Sequence, residues 1–235
     1  MKDLLSFFPL YIVLAGIVLS ALSYNMLNKS SRESAKVTLA GGRNCYKLAR
    51  ELAEGLKLKC EMIVHDGTGT MYNRKDGKLY IAQQAALQKN YGIGMKCLYE
   101  VCEAKARENG SFLLKALDFV TFICKLVSLP CPLVLVLAAF FKWVTVIKVI
   151  LVIFAVNIIL AIVNAIIIGG HLKPLKEYLK GEDLKVEDKA RVMQTADVLS
   201  LLPCTSVFLP FANTFGYLKN TVSVFYKNSD ARKGK

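Results

Sequence analysis

The stretch VILVIFAVNIILAIVNAIIIGG, residues 149–170, contains no Asp, Glu, Lys or Arg, and its only strongly polar side chains are Asn157 and Asn164. A helix needs roughly 20 mostly apolar residues to cross about 30 Å of hydrocarbon, because lipid offers backbone amides no hydrogen-bond partner. The stretch has both the length and the composition of such a helix. We therefore predict that it spans a membrane.

Three further runs also lack Asp, Glu, Lys and Arg, at residues 4–28, 126–141 and 198–218. The chain as a whole is 54% hydrophobic, with a mean hydropathy of +0.39, which exceeds the usual range of soluble domains. This segregation of apolar residues into long blocks predicts an α-helical multi-span membrane protein.

The first run, 4–28, is long and is not closed by a small-residue cleavage site, so we predict an uncleaved signal-anchor span. The second run extends upstream past Asp118 and Lys125, charges that snorkelling or burial as a pair would tolerate. Together with 149–170 it predicts a transmembrane hairpin over 112–170, with Trp143 at the membrane interface between Lys142 and Lys148.

Pro203 and Pro210 interrupt the last apolar run, so 198–218 is either a kinked span or a re-entrant segment. A basic tail, 219–235, follows it. Which side of the membrane the tail occupies stays open at this point.

Orientation follows from the lysines and arginines near the ends of the spans. Lys2 precedes the first span, whereas Lys29, Arg32 and Lys36 follow it, so the N-terminus is predicted to face outwards. Residues 29–111, a basic α+β domain, and 171–197, a helical linker, then lie on the cytoplasmic side, and the expected location is the plasma membrane.

The formal net charge of +13 indicates an anionic partner. Between residues 28 and 117 there are 16 basic and 9 acidic residues, and each cation near an anionic headgroup contributes roughly 1 kcal/mol. We expect the partner to be a lipid bilayer with anionic headgroups. Nucleic acid is not expected, because no basic stripe is interleaved with stacking aromatics.

The seven cysteines show no paired framework, which is typical of the reduced side of a membrane. Cys97 and Cys102 have no second pair near them in sequence, so a zinc knuckle is not predicted. The chain also lacks a nucleophile motif and a phosphate-binding glycine loop.

The segment 29–111 predicts a helix, a hairpin and a second helix. Apolar residues at helical spacing predict a helix over 43–56, and a second is predicted over 93–109. Residues 59–65 and 78–82 read as two strands of a hairpin, reversed at Asp76-Gly77.

Three stretches then resemble one family. They are LAGGRNCYKLAREL (39–52), YNRKDGKLYI (72–81) and YEVCEA (99–104). In this order they are similar to the first helix, the hairpin and the metal-binding helix of the bacterial neutral zinc metallopeptidases of the membrane. The resemblance covers nearly the whole chain and implies a metallopeptidase-like domain at the membrane surface.

The catalytic motif of that family, His-Glu-x-x-His, is degenerate here. Two imidazoles four residues apart on a helix bind zinc, and the Glu between them acts as the general base. Glu100 retains the position of the base, whereas Tyr99 and Glu103 replace the two ligands. Near the place of the acidic third ligand the chain has His171 and no carboxylate. We therefore expect a catalytically inactive protein without a cofactor.

Two interpretations of these residues stay open. In one, Glu100, Glu103 and His171, with Cys102, rebuild a zinc site. In the other, which we favour, Glu103 pairs with Arg107 at i, i+4, Glu100 is a solvated helix residue, Cys102 belongs to the core, and His171 is a polar span end.

The favoured function is binding of a polypeptide partner or client by strand addition at the hairpin edge, or regulation of a membrane complex. One alternative is a membrane zinc metallopeptidase with a rebuilt metal site. A second is a membrane structural or assembly protein unrelated to peptidases.

Overall fold

The computed structural model describes residues 8–67, 69–73, 75–108, 110, 112–128 and 130–205. It is mostly helical, with one small sheet of three strands. The chain forms two compact units. We call residues 22–118 with 162–203 the α+β unit, and the described part of 1–21, 119–161 and 204–235 the apolar unit.

The helices, in chain order, are α1 (Phe8–Ala35), α2 (Cys45–Gly55), α3 (Gln83–Ala86), α4 (Tyr91–Glu108), α5 (Phe112–Ser128), α6 (Cys131–Phe140), α7 (Val144–His171), α8 (Lys173–Gly181), α9 (Val186–Leu199) and α10 (Leu202–Thr205). The strands are β1 (Met62–His65), β2 (Met71–Asn73) and β3 (Lys78–Ala82), and a short 3₁₀ turn covers Ala40–Gly42.

The helix predicted over 43–56 is confirmed as α2. Asn44 caps its first turn, because the Asn44 side chain accepts a hydrogen bond from the Lys47 amide at 2.9 Å. Leu48, Ala49 and Leu52 are buried on the stripe that the sequence predicted. The second helix, predicted over 93–109, is confirmed as α4 and begins two residues earlier.

The sheet corrects the predicted hairpin. Strand β3 lies in the middle, pairs in parallel with β1 and pairs antiparallel with β2, so 59–65 is not the hairpin partner of 78–82. The reversal at Asp76-Gly77 is present, with Gly77 at φ +67°, but it joins β3 to β2. A strand of only three residues leaves too little alternation to be recognised in the sequence.

The core of the α+β unit joins residues from both of its chain segments. Leu48, Leu79, Ile81 and Leu98 are fully buried in the first segment. The second segment, which includes the predicted linker 171–197, adds its own set: Leu172, Leu175, Leu179, Val192, Ala196 and Leu199. Helices α8 and α9 are therefore part of the domain core as well as a connection.

The last helical turns of α1 pack within this unit through small side chains. Ser30 and Ser34 are buried, and both hydroxyls hydrogen-bond to the hydroxyl of Thr195 in α9, with 2.7 Å between Ser30 Oγ and Thr195 Oγ1. Helix α1 covers the described part of the predicted first span and continues beyond it to Ala35.

Helix α7 begins in the apolar unit and ends in the α+β unit, and it is long and apolar enough to cross a membrane by its length and composition. Within the described residues, α5 and α6 provide a second such element only if they form one span, because they meet at an angle of 43°. The continuous helix predicted through 126–141 is thus interrupted after Ser128, where Pro130 removes a backbone donor. Asn157 of α7 donates a hydrogen bond to Ser128.

The α6–α7 turn exposes three aromatic rings. The rings of Phe141 and Trp143 stack with 5.4 Å between centroids, and Phe140 meets Phe141 edge-on at 5.3 Å. Lys142 lies between them in a left-handed conformation, at φ +57°. Of the predicted segment 198–218, helix α9 ends at Leu199 and α10 reaches Thr205; residues 206–218 and the tail 219–235 lie outside the described residues.

Gly92 allows α4 to approach α1 closely. A Cβ atom at this position would lie 2.9 Å from the Cα of Ala35 and 2.9 Å from the carbonyl oxygen of Ser31. Because both contacts are backbone atoms, Gly92→Ala is expected to destabilise the protein by about 1–3 kcal/mol. Thermal unfolding of the detergent-purified variant, followed by circular dichroism, measures the change.

The matched control is Gly181→Ala in α8, where a Cβ would meet no atom within 4 Å. Its unfolding midpoint is expected to stay at the wild-type value or rise slightly, because Ala is the better helix former. Equal effects of the two substitutions would contradict the close packing of α1 and α4.

Candidate functional site

The residues of the degenerate motif lie on α4, whose second half packs against β2. Tyr99, Glu100, Cys102 and Glu103 occupy one helical turn, and Tyr99 is half-buried against the domain core. The structure places Glu100, Cys102 and Glu103 in defined contacts.

Glu100 binds the backbone of β2. Its carboxylate accepts a hydrogen bond from the Tyr72 amide, with 2.9 Å between Tyr72 N and Glu100 Oε2. The expectation of a freely solvated Glu100 is therefore wrong, because the half-buried carboxylate satisfies a backbone donor of the sheet. A carboxylate in this position is held as a structural acceptor.

Glu103 forms the ion pair that its spacing predicted. Arg107, four residues later, donates to Glu103, with 2.6 Å between Arg107 Nε and Glu103 Oε1. The same guanidinium also binds both carboxylate oxygens of Asp118 in α5. Burial would lower the pKa of Arg107, but these two carboxylates outweigh it and the net pKa is raised. Asp118 therefore pairs with Arg107, in addition to lying on the same helical face as Lys125.

Cys102 belongs to the core, as the favoured interpretation expects. It is 2% exposed, and burial raises the pKa of its thiol to about 12. Cys97, one turn earlier, is fully buried and its pKa is also raised to about 12 by burial. Both thiols therefore lie in the hydrophobic core of the α+β unit.

The two histidines have different environments. His65 ends β1 and holds the following turn, because its Nδ1 accepts from the Gly67 amide at 3.0 Å and its Nε2 lies 2.8 Å from the Gly69 carbonyl oxygen. His171 is the last residue of α7, and its Nδ1 is buried without a hydrogen-bond partner among the described residues.

These residues do not fit a zinc ion. Glu100 is bound to a backbone amide, Glu103 is bound to a guanidinium, and Cys102 is buried in the hydrophobic core. Among the described residues, no three His, Cys, Asp or Glu side chains lie close enough together to hold a metal. The arrangement offers no preformed site for the rebuilt zinc centre.

A buried polar cluster that the sequence did not indicate lies elsewhere in the α+β unit. We call it the Arg43–Glu182 clasp. Arg43 binds both carboxylate oxygens of Glu182, with 3.0 Å between Arg43 Nη1 and Glu182 Oε1. The side chain of Glu182 is only 8% exposed. Tyr91 donates to the same carboxylate at 2.8 Å, and Tyr178 donates to Glu51 at 2.8 Å.

Contacts within the clasp shift the pKa values of its ionisable side chains. Burial would raise the pKa of Glu182, but hydrogen bonds from Arg43 and Tyr91 outweigh burial and the net pKa is lowered. Burial and the neighbouring carboxylate raise the pKa of Tyr91. Both tyrosines stay protonated and act as hydrogen-bond donors. The spacing of the apolar residues in α8 is the one sequence signal which indicates that this segment packs on the domain.

A comparison of the chain with protein families, with curated proteins and with solved structures found no match in any of the three. The likeness to membrane zinc metallopeptidases therefore stays a prediction from the three quoted stretches.

The clasp predicts a pH-dependent contribution to stability. Because the pKa of Glu182 is lowered by folding, its contribution is complete above about pH 4.5 and is lost as the pH falls through the lower folded-state pKa. Glu182→Gln is expected to cost about 1–3 kcal/mol at pH 7. The difference between the wild-type and variant thermal midpoints should shrink from pH 7 to pH 3.

The control substitution is Glu54→Gln, which breaks the pair of Glu54 with Arg50, whose side chains are 65% and 63% exposed. It is expected to leave the midpoint nearly unchanged, because exposed ion pairs contribute little. A gap between wild type and Glu182→Gln that is independent of pH would contradict an ionised Glu182 in the clasp.

Proposed function

We propose that the chain is an integral membrane protein that binds an extended polypeptide at the β1 edge of its three-stranded sheet and does not cleave it. The observation that supports this proposal is the order of the sheet, β1-β3-β2, in which β1 pairs on one side only among the residues that the structure describes. A strand edge is a ready template for another chain.

The backbone groups of β1 alternate in direction. The Leu79 amide of β3 donates to the carbonyl oxygen of Glu61 at 2.9 Å, so Glu61 faces β3. In a parallel ladder, every second residue faces the same neighbour, so Ile63 and His65 also face β3. Met62 and Val64 then direct their amides and carbonyls away from the sheet, where an incoming strand would pair.

The contacts of α4 support binding without cleavage. The only retained motif position, Glu100, already accepts a backbone hydrogen bond, and Glu103 is paired with Arg107. A general base has to reach a metal-bound water, and a zinc ion needs free ligands. On this proposal, the family resemblance is that of a scaffold that retains the sheet edge and has lost the chemistry.

The proposal includes several spans. Helix α7, the bent pair α5 and α6, and the apolar part of α1 would cross the bilayer, with 29–111 and 171–197 on the cytoplasmic side of the plasma membrane. The surplus of basic residues in 29–111 would then face anionic headgroups. Regulation of a membrane complex would follow from holding a polypeptide beside the bilayer.

Loss of one outward amide tests the β1 edge. Val64→Pro removes an N–H that does not pair with β3, a place where an edge strand tolerates proline. Fluorescence anisotropy with a labelled heptapeptide of alternating Thr and Val is expected to show binding to the wild type and about tenfold weaker binding to the variant. Val64→Thr keeps the amide and should bind like the wild type.

Two controls complete this test. The same peptide with every backbone amide N-methylated should not bind, because recognition is through the main chain and both edges of such a peptide are blocked. Mass spectrometry should recover the peptide intact after incubation with and without added zinc. Equal binding of the two peptides contradicts strand addition, and cleaved peptide contradicts the non-catalytic proposal.

The α6–α7 turn offers a direct test of membrane insertion, since Trp143 is the only tryptophan of the chain. Aromatic rings flanked by lysines favour the headgroup region. In nanodiscs, Trp143 emission is expected to be quenched more by lipids brominated near the headgroup than by lipids brominated deep in the acyl chain.

Trp143→Phe gives the background emission for this measurement. Stronger quenching from deep bromines would contradict an interfacial turn. If neither lipid quenched Trp143 emission, the result would contradict insertion of the α6–α7 hairpin.

A further inference from the structure

The outer edge of β2 is covered by a side chain at the place where a fourth strand would pair. We infer that Glu100 is the specificity-determining residue that closes β2 to strand addition and so directs a polypeptide to β1. This inference rests on the proposed function. It assigns to the retained motif position a role that differs from that of a general base.

The register of the sheet identifies the amide that Glu100 covers. Leu79 faces β1 with its backbone groups, so its partner Tyr72 occupies a non-hydrogen-bonded position of the antiparallel pair. The Tyr72 amide therefore faces away from the sheet, whereas the amides of Met71 and Asn73 face β3. Tyr72 thus supplies the outward amide of this three-residue strand, and Glu100 accepts from it at 2.9 Å.

A carboxylate is a stronger competitor for this amide than a peptide carbonyl. Hydrogen bonds to an ionised acceptor are shorter and about twice as strong as neutral ones. Glu100 is also held on α4 between buried neighbours, Cys97 and Val101, so little conformational entropy is lost in keeping it there. An incoming strand would have to displace a bond that is already formed.

The β1 edge is not covered in this way by any of the residues described. Within the described part of the chain, no side chain accepts a hydrogen bond from the amide of Met62 or Val64. The side chain of Val64 is 44% exposed. Proteins commonly close one sheet edge with a charged residue to prevent unwanted pairing. In this sheet, Glu100 closes the β2 edge, whereas the β1 edge stays open.

The test combines a substitution that blocks the β1 edge with a substitution that opens the β2 edge. The full-length protein in nanodiscs is titrated with the labelled Thr–Val heptapeptide and with its N-methylated control. Val64→Pro should bind about tenfold more weakly than the wild type, and Val64→Pro with Glu100→Ala should recover most of that affinity through β2. Glu100→Ala alone should bind two peptides per chain instead of one.

Glu100→Gln is the matched control, because its amide oxygen can still accept from Tyr72. The double variant Val64→Pro with Glu100→Gln should therefore recover less of the peptide affinity than the double variant Val64→Pro with Glu100→Ala. Circular dichroism and thermal unfolding establish that all variants are folded.

A second measurement tests the hydrogen bond between Glu100 and the Tyr72 amide directly. Hydrogen exchange of the Tyr72 amide, followed by NMR with ¹⁵N-tyrosine, should be at least about tenfold faster in Glu100→Ala than in the wild type. Unchanged exchange, or faster exchange without recovered binding in the double variant, overturns the role of Glu100 and leaves binding at β1 intact. Wild-type affinity of Val64→Pro instead overturns the proposed function, so the two failures are distinguishable.

Discussion

The ion pair between Arg43 and Glu182 joins the two chain segments of the α+β unit, which the apolar helices separate in sequence. Arg43 lies just before α2 and Glu182 just after α8, while Tyr91 opens α4 and donates to the same carboxylate. A buried charge pair is costly to desolvate, and it is tolerated only when its remaining hydrogen-bonding groups are satisfied. Two tyrosines and Glu51 meet that condition here.

Around this clasp the domain is closed by apolar packing. The buried leucines of α8 complete a core that α2, α4 and β3 cannot fill alone, which is the usual difficulty of a small domain. Close approach of α1 and α4 at Gly92, and the hydroxyl contacts of Ser30 and Ser34 with Thr195, fix the last turns of α1 in the same unit. The polar and the apolar contacts therefore support each other.

The candidate site shows that one residue type can serve different roles in the same position of a helix. In a metallopeptidase helix, a glutamate at the position of Glu100 serves a metal-bound water. In this chain the same position faces a strand edge and satisfies its amide, while Glu103 is used by Arg107. Residue identity alone does not separate these roles, because both need an ionised carboxylate on one face of a helix. Only its distance to Tyr72 does.

The sequence by itself determined the elements whose signal is local. These are α2, α4, β3, the reversal at Gly77, the long apolar helix α7 and the pair of Glu103 with Arg107, since periodicity, turn chemistry and i, i+4 spacing act over a few residues. The tertiary structure alone decided the strand order, the partner of Glu100 and the Arg43–Glu182 clasp. Each of these joins residues that are far apart along the chain, and chain-distant pairing depends on the whole core, which no local pattern records.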